Sequence, residues 1–344
     1  MTKPTNENAT EGVAHGVEAN PEETLRAALD YRRRGLRVVP VKFRGKAPVQ
    51  DGWQDSDLDE GAIRADFEGA ARNVGVILGE ASGDIVDADL DCPEAVALAG
   101  AFLPPTEAVF GRTSAPASHR MYVCPGAAST AFKDTNGEVL LEIRSNGRQI
   151  VVPPSVHPTG EQVAWGEGAG PRPSRVETEE FEARCRELAT AVLVARHLPP
   201  SKDGRTGGGG GRHDFALPLA GFLLRRLDEE VAARIMHAAW GAAGSATEEA
   251  HRDLDGIVRD TSEKLEGGDE VKGGPTLEEL APGVPKLISR WWGWVKGKKG
   301  RGGKDDEPTH DELRDRWLAA HPNVAYGLGG WMVYGEEAPG VWAP

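Results

Sequence analysis

The segment 84–91, with the sequence DIVDADLD, constrains the fold more than any other part of the chain. Side chains of a β-strand point alternately to its two faces. The apolar residues at positions 86, 88 and 90 therefore share one face, and the opposite face carries Asp87, Asp89 and Asp91. Strands disfavour Asp, and like charges on one face repel each other. A strand that buries its apolar face would thus present a row of three carboxylates.

A bound divalent cation would give this row of carboxylates a purpose. Mg²⁺ and Mn²⁺ prefer oxygen ligands, and two such ions can hold a transferring phosphoryl group between them. The segment EVLLEIR predicts a second strand, on which Glu142 and Arg144 project from one face. A solvated polar face on the first strand and a surface ion pair on the second are the alternatives.

Two further segments offer polar groups that suit a phosphate. In GRTSAPASHRMYV, His119 begins a strand directly after a turn, and Arg112 or Arg120 would add charge-assisted hydrogen bonds. A histidine that is structural or merely exposed is the alternative. In RQIVVPPSVHPTGE, two prolines form a rigid corner that would hold Ser155 and His157 near the same site, although a plain turn fits equally well.

Charge and cysteine content exclude several classes of protein. The net charge of −14 argues against broad nonspecific coating of DNA but is compatible with a local basic patch. The three cysteines are far apart without a CxxC pair, which predicts neither a four-ligand zinc site nor a disulfide framework. The N-terminus lacks an apolar signal region, and no apolar run approaches a membrane span. We expect a soluble cytoplasmic protein with no membrane partner.

Local composition and periodicity divide the chain. After position 105 the predicted strands follow one another without helices between them, which favours an α+β fold with a mixed or antiparallel sheet, followed by a small all-α domain. The predicted segments are a disordered N-terminus (1–20), an α+β catalytic domain (21–196), a Gly-rich linker (197–212), a helical domain (213–296), a basic Gly/Lys linker (297–308) and a short C-terminal segment (309–344).

A basic and aromatic tract follows the helical pattern. Residues 286–304, KLISRWWGWVKGKKGRGGK, carry seven basic residues, no acid, and Trp291, Trp292 and Trp294. These side chains suit stacking on bases and contact with phosphates. Packing of the tryptophans against the helical domain is the alternative.

The order of these motifs resembles the primase-polymerase domain of the archaeo-eukaryotic primase superfamily. The resemblance covers about residues 22 to 195 and includes VVPVKFRGKAPVQDGWQ, NVGVILG, the acidic strand, the turn that ends in histidine, LEI and PPS. The run from DLDCPEAVALAGAFLPPT to VFGRTSAPASHRMY looks like the subgroup of phage and plasmid replication proteins. GRHDFALPLAGFLLRRL is similar to the helical domain that follows such primases. The resemblance implies an RRM-like sheet.

The resemblance also implies roles for individual residues. It assigns metal-binding carboxylates to Asp89, Asp91 and Glu142, while Asp87 also satisfies the motif and stays a less certain ligand. His119 matches the family's nucleotide-binding histidine, and the other candidates for nucleotide binding are Ser118, Arg112, Arg120 and Arg144. The family often has serine two places before this histidine, where this chain has Ala117. Candidates for template contact or priming are Lys46, Trp53, Ser155, His157, Arg212 and His213.

A primase-polymerase of this type would synthesise primers de novo and extend them on single-stranded DNA in phage or plasmid replication, by two-metal-ion nucleotidyl transfer. The implied cofactors are two Mg²⁺ or Mn²⁺ ions, with NTP or dNTP substrates and no zinc. The implied partners are a single-stranded template, a primer duplex and a replicative helicase, fused or separate, with 309–344 as the start of a helicase-associated region. A phage protein would act in the host cytoplasm. The alternatives are a metal-dependent nuclease and a noncatalytic nucleic-acid-binding or helicase-loading module.

Overall fold

The computed structural model of the chain describes residues 17–200, 211–245 and 247–294, together with strand residues 324–327, 330–334 and 342–343. The chain divides into two compact units, residues 1–295 and 296–344. Residues 1–16 of the expected disordered N-terminus, most of the Gly-rich linker, the basic linker and most of the segment after residue 308 lie outside the described residues. In the second unit, three strands form an antiparallel sheet: β11 (Val324–Gly327), β12 (Gly330–Tyr334) and β13 (Trp342–Ala343).

Nine helices lie in the described part of the first unit: α1 (Pro21–Arg33), α2 (Glu60–Phe67), α3 (Pro93–Phe102), α4 (Thr178–His197), α5 (Arg212–Leu223), α6 (Glu229–Ala242), α7 (Glu248–Glu266), α8 (Gly274–Leu280) and α9 (Val284–Trp291). Their ends follow local rules. Asn20 accepts a hydrogen bond from the Glu23 amide and caps α1, which begins at Pro21 and ends on two arginines. Asp59 caps α2 in the same way.

Ten strands lie in the described part of this unit: β1 (Val38–Lys42), β2 (Arg72–Ile77), β3 (Ile85–Leu90), β4 (Val109–Arg112), β5 (Ala115–Val123), β6 (Thr130–Lys133), β7 (Val139–Arg144), β8 (Gln149–Val152), β9 (Ala164–Trp165) and β10 (Ser174–Arg175). The acidic segment forms β3, as its parity predicts. Strands β6, β9 and β10 and helices α8 and α9 correspond to no element predicted from the sequence.

The strands form two sheets. The large sheet has the order β6-β7-β3-β5-β4-β9 with every neighbouring pair antiparallel, and β10 pairs in parallel with β5. The small sheet has the order β1-β2-β8 and is antiparallel throughout. This arrangement confirms the predicted α+β class with an antiparallel sheet, followed by a helical region.

Each face of the large sheet meets a different part of the molecule. The face that carries Val86, Ala88 and Leu90 is buried in one hydrophobic cluster with α3 and α4. On the opposite face, Ile85 and Met121 belong to a second cluster that includes α1, α2 and the small sheet. The small sheet therefore covers the start of β3 on its acidic side, and the covering decreases toward Asp91, which is exposed.

The helical region shares the core of the large sheet. Helices α5 to α9 bury their apolar residues in the same cluster as α3 and α4, and α4 packs closely against α6. Buried Glu187 on α4 forms ion pairs with Arg184 at 3.2 Å and Arg234 at 2.8 Å, so its charge is balanced by two guanidinium groups. The domain boundary at the Gly-rich linker stays a prediction.

The three tryptophans after α8 pack against other parts of the protein. Trp292 donates a hydrogen bond from Nε1 to Thr190 Oγ1 at 3.0 Å, and Trp294 meets the edge of the Phe222 ring. Trp291 makes a similar edge contact with Phe132 on β6. Only Trp294 thus packs as the alternative interpretation predicts, on helix α5 of the helical region, whereas Trp291 and Trp292 contact β6 and α4. Among the described helices, none is both long and apolar enough to span a membrane.

Candidate active site

The predicted site forms where three antiparallel strands run side by side. In the large sheet, β3 lies between β5 and β7, and Asp89 pairs directly with His119 on one side and with Glu142 on the other. Residues that are directly opposite in neighbouring strands project from the same face. Three segments that are far apart in the sequence thus bring a carboxylate, an imidazole and a second carboxylate together.

Three carboxylates at the open end of β3 form a group that suits a cation. Asp89, Asp91 and Glu142 each offer an oxygen, and these oxygens lie within 4.8 Å of one another. Partial desolvation by the surrounding groups, followed by repulsion from Asp89 and Glu142, raises the pKa of Asp91 to about 7. A divalent cation relieves such repulsion and prefers oxygen ligands, so the donor set fits Mg²⁺ or Mn²⁺.

Asp89 also contacts two basic groups. Its Oδ2 accepts a hydrogen bond from Arg144 Nη1 at 3.1 Å, and its Oδ1 lies 3.5 Å from His119 Nδ1. Arg144 is held in place because its Nη2 donates to the Gln149 carbonyl at 3.0 Å. As the sequence predicts, Glu142 and Arg144 share the face of the acids. Asp89 therefore belongs to the set of three carboxylates and also contacts the basic residues Arg144 and His119.

Asp87 has a different environment from the other two aspartates. Its side chain is fully buried, and His119 Nδ1 lies 2.9 Å from its Oδ2. Burial alone would lower the pKa of His119, but Asp87 and then Asp89 outweigh burial and raise that pKa. Nδ1 of His119 is thus engaged with Asp87, which leaves Nε2 for another partner. Phe110 stacks on the imidazole, with ring centroids 4.7 Å apart.

The second group of possible metal ligands is Asp87, Asp89 and His119. Asp87 Oδ1 is buried and has no hydrogen-bond partner among the described residues. In this group, however, the Nδ1 atom of His119 already contacts Asp87 Oδ2 at 2.9 Å. A ring nitrogen engaged with a carboxylate in this way is not free to bind a metal. The group of Asp89, Asp91 and Glu142 is thus the better metal site of the two.

A pocket with a basic lining adjoins His119. Among the residues that line it are Lys46, Arg112, His119, Arg144, Gln149 and His157. Arg112 also pairs with Glu161 at 3.3 Å, so its charge is partly balanced. The Thr159 amide donates to His157 Nδ1 at 3.2 Å, which places the proton of a neutral imidazole on Nε2. Burial, with Arg112 and Lys46 nearby, lowers the pKa of His157.

The connection between β4 and β5 shapes one wall of this pocket. The register shifts between Phe110 and Arg112, as in a β-bulge, and a side chain at Gly111 would overlap the Ala115 carbonyl. Ala117 has a positive φ of 54°, which is uncommon for a residue with a Cβ. Ser118 follows, lines the pocket, and has a buried Oγ with no partner among the described residues. Ser118 therefore lines the pocket, although it is one position away from the place where the family often has serine.

The structure does not bring every candidate residue to the site. Arg120 pairs with Ala88, so its side chain lies on the opposite face, which packs against α3 and α4. Ser155 is fully buried and its Oγ accepts a hydrogen bond from the Val74 amide at 2.9 Å, which ties the proline corner to β2. Trp53 packs against the outer face of the small sheet.

The two candidates on α5 also lie elsewhere. Arg212 donates to the carbonyls of Pro199 at 3.0 Å and Ala243 at 3.1 Å, which ties the start of α5 to the ends of α4 and α6. His213 is exposed on the same helix. Neither residue lines the pocket beside His119.

Sequence reasoning missed two contributors to the site. Gln149 donates from Nε2 to the Lys46 carbonyl at 2.8 Å and so ties the loop after β1 to β8. Its position as a polar residue at the start of an otherwise apolar strand was the available signal. Phe110, which orients His119, gave no signal, because its contact depends on the pairing of β4 with β5.

The comparisons with known proteins agree with this geometry. Residues 28–179 match the family model of Prim-Pol, described as bifunctional DNA primase/polymerase, N-terminal. The chain carries a Prim-Pol domain. The matched segment contains all three strands of the carboxylate site, β3, β5 and β7. No curated protein matches the chain. The Prim-Pol family indicates a DNA primase/polymerase, and the resemblance of this segment to a primase-polymerase domain is confirmed.

Proposed function

We propose that this chain is a template-directed nucleotidyltransferase that synthesises primers de novo and extends them on single-stranded DNA. The observation that carries the proposal is the pairing of Asp89 with Glu142 on one side and His119 on the other. This register places a carboxylate group beside a basic pocket. Such an arrangement suits a reaction in which a triphosphate is held while one phosphoryl group is transferred.

The chain's own residues divide the work between two adjacent groups. Asp89, Asp91 and Glu142 would hold two divalent cations, either Mg²⁺ or Mn²⁺. When bound, these ions lower the pKa of the attacking hydroxyl and neutralise charge on the transferred phosphate and the leaving pyrophosphate. His119, through Nε2, and Arg144 would bind the triphosphate by charge-assisted hydrogen bonds.

Lys46, Arg112 and His157 extend the basic pocket beyond His119. We assign them to the same nucleotide rather than to the template, because two divalent cations do not balance both the triphosphate and the three carboxylates that would hold them. Asp87 is assigned to His119 rather than to a metal, since its Oδ2 is the acceptor for Nδ1. The further proposal is a role in phage or plasmid replication, in the host cytoplasm and with a replicative helicase as partner.

The direct test uses unprimed and primed single-stranded DNA with each nucleotide set and with Mg²⁺ or Mn²⁺. The wild-type protein is expected to make products that require both template and nucleotides, and Asp89→Ala plus Asp91→Ala is expected to make none. Full synthesis by the double variant would overturn the proposal. Degradation of DNA without added nucleotides would indicate a nuclease on the same carboxylates. Absence of both nucleotide and metal binding by calorimetry would indicate a noncatalytic module.

A further inference from the structure

A groove lies at the β6 edge of the large sheet, away from the carboxylate site. It is a cavity of about 330 Å³ between edge strand β6 and helices α4 and α9, here called the β6–α9 groove. Ile143 contributes to its lining, and this residue projects from the face opposite to Glu142. The groove is therefore separate from the pocket beside His119.

The groove is basic in a protein whose net charge is −14. Its lining includes Lys133, Arg186 and Arg290 and a single acid, Glu182, so three cations and one anion leave two net positive charges. Arg186 pairs with Glu182 at 3.4 Å. Lys133 and Arg290 are exposed and have no ion-pair partner within the described ranges, so both are available to an anionic ligand.

The groove also has an aromatic wall. Leu287, Arg290 and Trp291 lie three and four residues apart on α9 and so share one face of that helix. Trp291 is half-buried, with its ring against Phe132 at a centroid distance of 5.4 Å. Of the three neighbouring tryptophans, it is the one that lines the groove. A half-exposed indole between cations on β6 and α9 suits an unpaired base with phosphates on either side.

The position of the groove indicates which DNA strand it would bind. Ala131 on β6 pairs directly with Glu142. Because neighbouring strands lie about 4.8 Å apart, β6 is roughly 10 Å from Asp89 across the sheet. We propose that the β6–α9 groove binds single-stranded DNA beyond the active site, with one base stacked on Trp291 and phosphates contacted by Lys133 and Arg290. This inference rests on the proposed function only where it identifies the bound strand as the template.

The charge part of the proposal is tested by fluorescence anisotropy of a labelled oligo-dT with the full chain. Lys133→Gln plus Arg290→Gln is expected to weaken binding about tenfold and to reduce the slope of log affinity against log salt by about 1.4, the value for two lost phosphate contacts. The matched control, Arg259→Gln plus Lys264→Gln, removes the same charge from α7. Unchanged affinity and slope in the groove variant, or an equal loss in the control, would overturn the proposal.

The stacking part is tested with two substitutions of one residue. Trp291→Phe keeps a ring for the base and is expected to bind oligo-dT nearly as the wild type does. Trp291→Leu removes the ring and is expected to bind about tenfold more weakly. Both variants alter the contact with Phe132, and thermal unfolding shows whether each is folded at the assay temperature. Equal affinity of the two folded variants would contradict stacking at this position.

Failure of this inference can be told apart from failure of the proposed function. Asp89→Asn is expected to lose synthesis but to bind oligo-dT with wild-type affinity and salt dependence, because Asp89 does not line the groove. Duplex DNA of the same length is expected to bind more weakly than the single strand, since its bases are already stacked. Equal sensitivity of duplex and single-strand binding to the groove substitutions would contradict the proposal.

Discussion

On strand β7, Leu141 and Glu142 are neighbours in the sequence and lie on opposite faces of the large sheet. Leu141 is fully buried in the cluster formed with α3 and α4, whereas Glu142 is half-buried beside Asp89 and Asp91. One face gains stability from buried apolar area, and the other loses stability to repulsion among acids. Dense packing on the apolar face thus holds like charges together on the polar face.

The polar face itself changes along β3. Asp87 is fully buried, the Asp89 side chain is 17% exposed, and Asp91 is exposed. The cause is the small sheet, which covers the start of β3 and leaves its end open. The same residue type at alternate positions is therefore suited to different tasks: positioning a histidine at the covered end and holding a cation at the open end.

The largest effect is expected from a substitution on the polar face. Asp89→Asn removes the charge shared by the carboxylate group and the basic pocket, and we expect primer extension to fall on the order of a thousandfold. The free energy of unfolding should change by less than about 1 kcal/mol, because asparagine can still accept the hydrogen bond from Arg144 and the repulsion from Asp91 and Glu142 is relieved. Steady-state extension and urea unfolding measure the two quantities. Wild-type extension would contradict a role for Asp89.

The opposite result is expected one strand away on the apolar face. Leu141→Ala removes a fully buried side chain, and a loss of about 3 kcal/mol in the free energy of unfolding is expected from the lost burial and the cavity. The extension rate per folded molecule should stay near that of the wild type. Urea denaturation and extension below the unfolding transition check this pair of results. A large loss of extension without destabilisation would show that the two faces are not independent.

A smaller effect is expected at the covered end of the polar face. Asp87→Asn keeps the size of the side chain but removes the charge that orients His119, so nucleotide use should weaken about 10- to 100-fold. The expected change is mainly a raised KM for the nucleotide, with metal binding retained. Titration of nucleotide and of Mn²⁺ separates the two.

Asp84→Asn is the matched control for this substitution. Asp84 stands in the turn before β3 with a φ of 66°, a conformation that asparagine tolerates well. We expect nucleotide use and stability close to those of the wild type. If instead Asp87→Asn loses Mn²⁺ binding and keeps its KM, Asp87 is a metal ligand and not the partner of His119.

These two faces could be predicted from the sequence because they depend on local parity. The alternation of side chains along a strand is enough to predict the row of aspartates on β3 and the shared face of Glu142 and Arg144 on β7. Arg120 shows the limit of the same reasoning: its place next to His119 in the sequence suggested a shared role, yet alternation puts its side chain in the other layer. Once the strand was predicted, parity was enough to separate the two residues.

Contacts that depend on pairing between distant segments could not be predicted in this way. The stacking of Phe110 on His119 requires the bulged register of β4 and β5, and the roles of the three aspartates require the small sheet. The burial of α5 to α9 in the core of the large sheet was also hidden, because an amphipathic helix does not reveal which surface it covers. The helical pattern of the sequence predicts α5, α6 and α7 but not the surface that they cover.

The smallest expected effect concerns the cation that the polar face would hold. At a Mn²⁺ concentration of ten times its Kd, the free energy of unfolding of the wild type should rise by about 1.4 kcal/mol, because the ion binds only the folded carboxylate group. Glu142→Gln should lose most of this gain, whereas Leu141→Ala, the neighbouring change on the apolar face, should keep it despite its lower stability. Urea unfolding of the three proteins with and without Mn²⁺ gives the three differences. An equal gain in both variants would place the ion elsewhere on the protein and remove the link between the acids and the metal.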